Sequence, residues 1–132
     1  MNAPRRPHGY RITKNMAARG SQRERAVVKL LADEGWVAFR APASLGAADV
    51  IAMRAWPPDE LDAAEGSEVL LIEVKSNQAH DGERARGPYT SFPPADRKRL
   101  AAAARQAGAS AFLYYWPIHG KLQIIPEQDW PR

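Results

Sequence analysis

The chain has 132 residues, no cysteine, and a net charge of +4 from 19 basic against 15 acidic residues. That length suits one domain with a proper core, the missing cysteines exclude disulfides and thiolate metal sites, and no apolar run reaches the roughly 20 residues of a membrane span. With no signal-peptide core near the N-terminus, these features predict a soluble, cytoplasmic protein.

Charge is uneven along the chain. Residues 1–25 carry Arg5, Arg6, Arg11, Lys14, Arg19, Arg23 and Arg25 against Glu24 alone, a net of +6 that leaves −2 for the remainder. Residues 1–18, basic and poor in apolar side chains, read as a flexible arm suited to a polyanion, with a solubilising tail as the alternative. Residues 19–132 read as a single folded domain.

A helix is predicted from about Ser21 to Glu34, with Ser21 and Glu24 spaced as a capping box. Val27, Val28 and Leu31 form its apolar stripe, and Glu24, three, four and seven residues before them, lies along the same buried face. Gly35 ends the helix. Trp36 to Arg40 reads as a strand, followed by a turn over residues 41–46 and a second strand, Ala48 to Met53, that contains Asp49. Residues 55–67 are expected to form an acidic connecting loop. Val69 to Lys75 is apolar on both faces, as a central covered strand is. The polar stretch 76–94 reads as a loop over a binding surface. A second helix starts near Pro94 and runs to about Gln106, with Gly108 past its end. Ser110 to Trp116 and Lys121 to Ile125 complete the sheet as a hairpin. The order of helix, three strands, helix and two strands predicts an α/β fold with a central mixed five-stranded sheet flanked by helices.

The chemistry lies in Leu70-Leu71-Ile72-Glu73-Val74-Lys75, where two charges interrupt an apolar strand. Glu73 and Lys75 are two residues apart and project from one face. With the Asp49 strand alongside, Asp49 and Glu73 converge, and Glu24 is expected to come down from a helix packed over that face. Three crowded carboxylates repel one another unless a cation sits among them. Oxygen ligands without cysteine or nearby histidine point to Mg2+, with Mn2+ as substitute, rather than zinc. Lys75 beside such an ion suits phosphodiester hydrolysis. Taken alone, Glu73-Val74-Lys75 reads as a structural ion pair at a sheet end.

Asp49, then Glu73-Val74-Lys75 at the end of a central strand, resembles the signature of the PD-(D/E)XK nuclease superfamily, with Ala48 where that signature has proline. The wider frame consists of residues 19–31 (RGSQRERAVVKLL), Arg40-Ala41-Pro42-Ala43-Ser44, Asp49-Val50-Ile51-Ala52 and Ile72-Glu73-Val74-Lys75-Ser76. It resembles the archaeal-type Holliday junction resolvases over about residues 19–126. The resemblance implies a restriction-endonuclease-like fold, so that residues 19–132 form a nuclease domain. It implies that Glu24, Asp49 and Glu73 are the acidic metal-site residues, that the Val74 carbonyl joins them, and that Lys75 is the catalytic lysine. It places Ser44 near the scissile phosphate and Arg25 and Arg40 on backbone phosphates of DNA, with Arg19 opening the same motif as a further DNA contact. Two departures stand out: the loops at 55–67 and 76–94 are long, and Asp96 stands where many superfamily nucleases carry glutamine.

The expected activity is therefore metal-dependent cleavage of four-way DNA junctions by a homodimer, because a two-fold junction matches a two-fold protein. No membrane partner and no small-molecule cofactor are expected. The alternatives are a nuclease of the same superfamily acting on duplex, flap or single-stranded ends, and a catalytically idle DNA-binding module of the same fold.

Overall fold

The computed structural model describes residues 14–41, 47–77 and 87–132. Helix α1 (Lys14–Asp33) is followed by strands β1 (Val37–Arg40), β2 (Val50–Trp56) and β3 (Gly66–Ser76), helix α2 (Pro94–Ala107), and strands β4 (Ser110–Trp116) and β5 (Gln123–Pro126). The five strands form one sheet in the order β1-β2-β3-β4-β5. β1, β2 and β3 pair antiparallel, β3 and β4 parallel, and β4 and β5 antiparallel. The one parallel step needs a crossover, and α2 supplies it. The mixed five-stranded sheet with flanking helices agrees with the sequence expectation.

Strand alternation divides the core. Leu70, Ile72 and Val74 of β3 pack with Val50, Ala52, Tyr114 and Trp36 under Val27 and Leu31 of α1. On the opposite face Leu71 packs with Ala111, Leu113 and Tyr115 under Leu100 and Ala104 of α2, together with Phe92 and Trp130. Ile72 and Leu113 are fully buried on opposite faces, so truncating either to alanine should cost about 2–5 kcal/mol. The Phe92 and Trp130 rings meet edge to face at 5.1 Å, and Trp130 Nε1–H donates to the Ile125 carbonyl at 3.1 Å. That contact ties the last turn of the chain to the α2 layer.

Three local expectations are corrected. α1 begins at Lys14, seven residues before the expected start, so it reaches back into the stretch read as an arm and Ser21 lies inside the helix rather than at a cap. The alanines at 17 and 18 favour that extension, and Gly20 costs a helix interior only about 1 kcal/mol relative to alanine. The expected loop at 55–67 is shorter, because β2 runs to Trp56 and β3 starts at Gly66. Cross-strand chemistry sustains the longer hairpin: Arg54 pairs opposite Glu68, bonds its carboxylate at 3.0 Å, and lies 4.0 Å over the Trp36 ring.

The third correction concerns which helix covers which face. Since 70, 72 and 74 point toward α1, Glu73 and Lys75 point to the other side, with Leu71 and α2. α1 therefore packs on the face opposite Glu73, and Glu24 approaches from across the sheet end rather than from above. The helix ends follow their sequence signals. Gly35 takes φ +93°, and Gly108, at φ 65°, closes α2 with its N–H directed to the carbonyls of Ala104 and Arg105. No helix among the described residues is long and apolar enough to cross a membrane.

Candidate active site

β2 begins only at Val50, opposite Ile72, while β3 continues to Ser76, so the end of β3 lacks a β2 partner beside Val74. Asp49, placed by sequence within a strand, sits just before β2 and fills that gap. Its N–H donates to the Ile72 carbonyl and its own carbonyl accepts the Ala41 N–H, both at 2.8 Å. Its side-chain Oδ2 accepts the Val74 N–H at 2.8 Å. A carboxylate thus takes the place of a ladder carbonyl, which fixes the side chain against β3 beside Glu73.

Glu73 and Lys75 share the α2 face, with Lys75 Nζ 3.1 Å from Glu73 Oε1. Glu73 is well buried, its side chain 13% exposed. Burial and the neighbouring Asp49 carboxylate push its carboxyl up to about 7, against the opposing pull of Lys75. Asp49 is likewise raised, by burial first and by the charge of Glu24, although the Val74 N–H and Lys75 act the other way. Two buried carboxyls that both resist ionising, Asp49 through burial and the Glu24 charge, Glu73 through burial and the Asp49 charge, form a site short of positive charge.

Glu24 stands one layer away. Its Oε1 accepts from Arg40 Nε at 3.0 Å, while Arg40 Nη2 donates to Ser21 Oγ at 3.1 Å. The Ser21 and Glu24 spacing that suggested a cap instead presents two acceptors to one guanidinium. Among the described residues no three of His, Asp and Glu gather as a metal-holding group, and the chain has no cysteine. Asp49 and Glu73 are together, and Glu24 is turned to Arg40.

The other expected residues are placed as follows. Arg25 is exposed on α1, and Arg40 ends β1 with its guanidinium on Glu24. Ser44 and the Arg19 side chain lie outside the described residues. The three arginines of α2 are engaged locally: Arg97 with the Phe92 carbonyl at 2.6 Å, Arg99 with Asp96 at 3.3 Å, and Arg105 with Glu127 at 3.4 Å. Two further neighbours stand by the cluster: Asp96, singled out in the sequence as a departure from the superfamily pattern, and Tyr115, which sequence reasoning missed. Asp96, in the first turn of α2, adds its negative charge to those pushing Glu73 up. Tyr115, opposite Lys75 on β4, accepts a hydrogen bond from Asn77 Nδ2 at 2.6 Å. The helix-start position of Asp96 and the parallel register of Tyr115 are signals that place them only once the sheet order is known.

The comparisons with known proteins bear on this arrangement. Among solved structures, the chain is similar to the Holliday junction resolvase Hjc of the archaeal hyperthermophile Archaeoglobus fulgidus, with a TM-score of 0.59 and 22% identity over 86% of this chain and 77% of that one. This shows a shared fold. No curated protein matches the sequence. The model of the archaeal Holliday junction resolvase family matches residues 15–129, a span that holds all of α1 but its first residue, the whole sheet and the Asp49, Glu73 and Lys75 cluster. The chain belongs to the archaeal Holliday junction resolvase family, nucleases that hydrolyse phosphodiester bonds in Holliday junctions.

Proposed function

We propose that this chain resolves four-way DNA junctions as a homodimer, with Asp49, Glu73 and the Val74 carbonyl holding a divalent cation. Glu24 completes that site and Lys75 serves the attacking water. The observation that carries this reading is the pair of desolvated carboxylates, Asp49 and Glu73, at the end of β3 with Lys75 3.1 Å from Glu73.

The donor set fits the ion. Both carboxylates gain from a positive charge, and an all-oxygen set suits Mg2+, with Mn2+ able to replace it. In an extended strand the N–H and C=O of one residue face the same edge, so the Val74 carbonyl faces the side from which its N–H meets Asp49. When bound, the cation polarises the phosphate and acidifies a water. The chain's own residues do the rest. Lys75, held by Glu73, presents an ammonium that can orient a water or offset charge developing on the phosphate oxygens. The Val74 N–H keeps Asp49 in place without consuming its second oxygen.

DNA contacts fall to the basic side chains outside this cluster. Arg25, Arg40 and Arg19 are assigned to the phosphate backbone, the loop Ser44 to the neighbourhood of the scissile phosphate among the catalytic residues, and residues 1–18 to an arm that adds charge, ahead of a nuclease domain over 19–132. Such contacts read shape and charge rather than sequence. A cytoplasmic location accords with a DNA substrate.

The decisive experiment is cleavage with magnesium of a four-way junction and of linear duplex with the same arm sequences. Cutting of the junction in preference to the duplex is expected; equal rates on both would contradict junction selectivity.

A further inference from the structure

Arg40 holds two layers of the molecule at once. Its backbone ends β1 one residue before Ala41, whose N–H is bonded to the Asp49 carbonyl at 2.8 Å. Its side chain crosses to α1, where Nε meets Glu24 at 3.0 Å and Nη2 meets Ser21 at 3.1 Å. Ser21 and Glu24 are one helical turn apart, so the guanidinium bridges them along one side of α1.

Two facts give this bridge a consequence. Arg40 pairs opposite Val50, the residue after Asp49, so the guanidinium that grips Glu24 belongs to the residue lying beside the Asp49 end of the sheet, and Glu24 is held at the same end as the cation site. Yet its Oε1 is committed to Arg40. The pair is also accessible: the Arg40 side chain is 38% exposed and that of Glu24 22%. A guanidinium has five N–H donors in a planar fork that matches phosphate oxygens, and a half-exposed ion pair is weak enough for such a competitor to replace.

Resting on the proposed cation site, we infer that Arg40 is a positioning residue that acts as a latch. In the DNA-free protein it keeps Glu24 from Asp49 and Glu73. A backbone phosphate of bound DNA takes the guanidinium, and Glu24 is then released to complete the oxygen donor set. Cation affinity and DNA binding are thereby coupled through one side chain, and the coupling is reciprocal.

The test is Mn2+ binding to the full chain without DNA, measured by calorimetry. Arg40→Ala should bind Mn2+ tighter than the unaltered chain by about tenfold, a typical size for coupled sites, and Glu24→Gln added to Arg40→Ala should abolish the gain. Ser21→Ala, which frees one arm of the guanidinium without changing charge, should shift affinity in the same direction by a smaller factor and guards against an Arg40 variant that fails to fold. Unchanged or weaker Mn2+ binding in both Arg40→Ala and Ser21→Ala would overturn the latch. So would a gain that persists with Glu24→Gln. Asp49→Asn separates the two readings. If Mn2+ binding to the unaltered chain does not depend on Asp49, the cation site itself fails and the latch with it; if it does and Arg40→Ala shows no gain, only the latch fails. In a Lys75→Met background that binds without cutting, Mn2+ should tighten junction binding, and Glu24→Gln should remove that enhancement. An enhancement indifferent to Glu24 would also overturn the latch.

Discussion

The Val74 N–H donates to Asp49 Oδ2 at 2.8 Å, so one carboxylate both satisfies the unpaired end of β3 and stands in the candidate cation site. The two duties separate by substitution. Asp49→Asn keeps an oxygen for the Val74 N–H but removes the charge that repels Glu73. It should fold with a melting temperature equal to or above that of the unaltered chain while losing Mn2+ binding and cleavage. Asp49→Ala also leaves the N–H without its acceptor and should lose about 1–3 kcal/mol of stability. Urea melts beside a junction-cleavage assay check both; an Asp49→Asn protein that still cuts would remove Asp49 from the chemistry.

Glu73 gives a pH signature with a sign opposite to that of most carboxylates. Its folded value, about 7, lies above the ordinary 4.5, so the folded chain binds this proton more tightly than the unfolded chain does. The stabilisation is full at pH below 4.5 and is lost as pH rises through about 7. In chelator-treated protein, Glu73→Gln should therefore gain melting temperature relative to the unaltered chain as pH goes from about 5 to about 8. A divalent cation takes the place of the proton, so magnesium should stabilise the unaltered chain more at the upper end of that range. A difference between the two proteins that stays flat with pH would mean that Glu73 is not desolvated beside Asp49.

The sheet was largely legible because its signals are local. Apolar runs on both sides of Glu73, the glycines at 35 and 108 and the proline at 94 mark their elements regardless of what packs on them. The Asp49 and Glu73 convergence was also legible, since strand alternation fixes which way Glu73 points. What alternation could not say is which helix lies on which face. Glu24 was expected over Glu73, whereas α1 covers Leu70, Ile72 and Val74, and only the crossover of α2 decides that. The Ser21 and Glu24 spacing was misread for a related reason. One spacing serves a capping box or a shared guanidinium, and the choice rests on Arg40, a residue 16 positions after Glu24.

The basic N-terminal stretch is testable without disturbing α1. Residues 1–13 carry Arg5, Arg6 and Arg11 and no acidic residue, and their removal leaves the helix start at Lys14 intact. If each arginine neutralises a DNA phosphate, deletion should lower the slope of log affinity against log salt by about 0.9 per contact, and weaken binding most at low salt. Cleavage at saturating DNA should be unchanged. Binding of a four-way junction across a salt series is the measurement; an unaltered slope would make the stretch a solubilising tail.

The homodimer proposal can be tested at the half of the sheet that α2 does not cover. Val37 is 67%, Phe39 43% and Met53 37% exposed. Val37 lies opposite Met53 and Phe39 opposite Ile51, so all four side chains share one face. Large apolar side chains gathered on a strand face are what a subunit contact of standard size draws on, and this face continues toward the strand ends that carry Asp49 and Glu73. Phe39→Glu with Met53→Glu should leave the fold nearly unchanged, since exposed positions tolerate substitution within about 0.5 kcal/mol, but should halve the mass seen by light scattering. The separated subunits keep the Asp49, Glu73 and Lys75 cluster, so they should still nick a junction while losing the paired cuts that depend on two centres acting across a two-fold axis. A dimer that survives both substitutions would move the contact to another surface, and paired cuts from a verified monomer would mean that resolution does not need two-fold symmetry here.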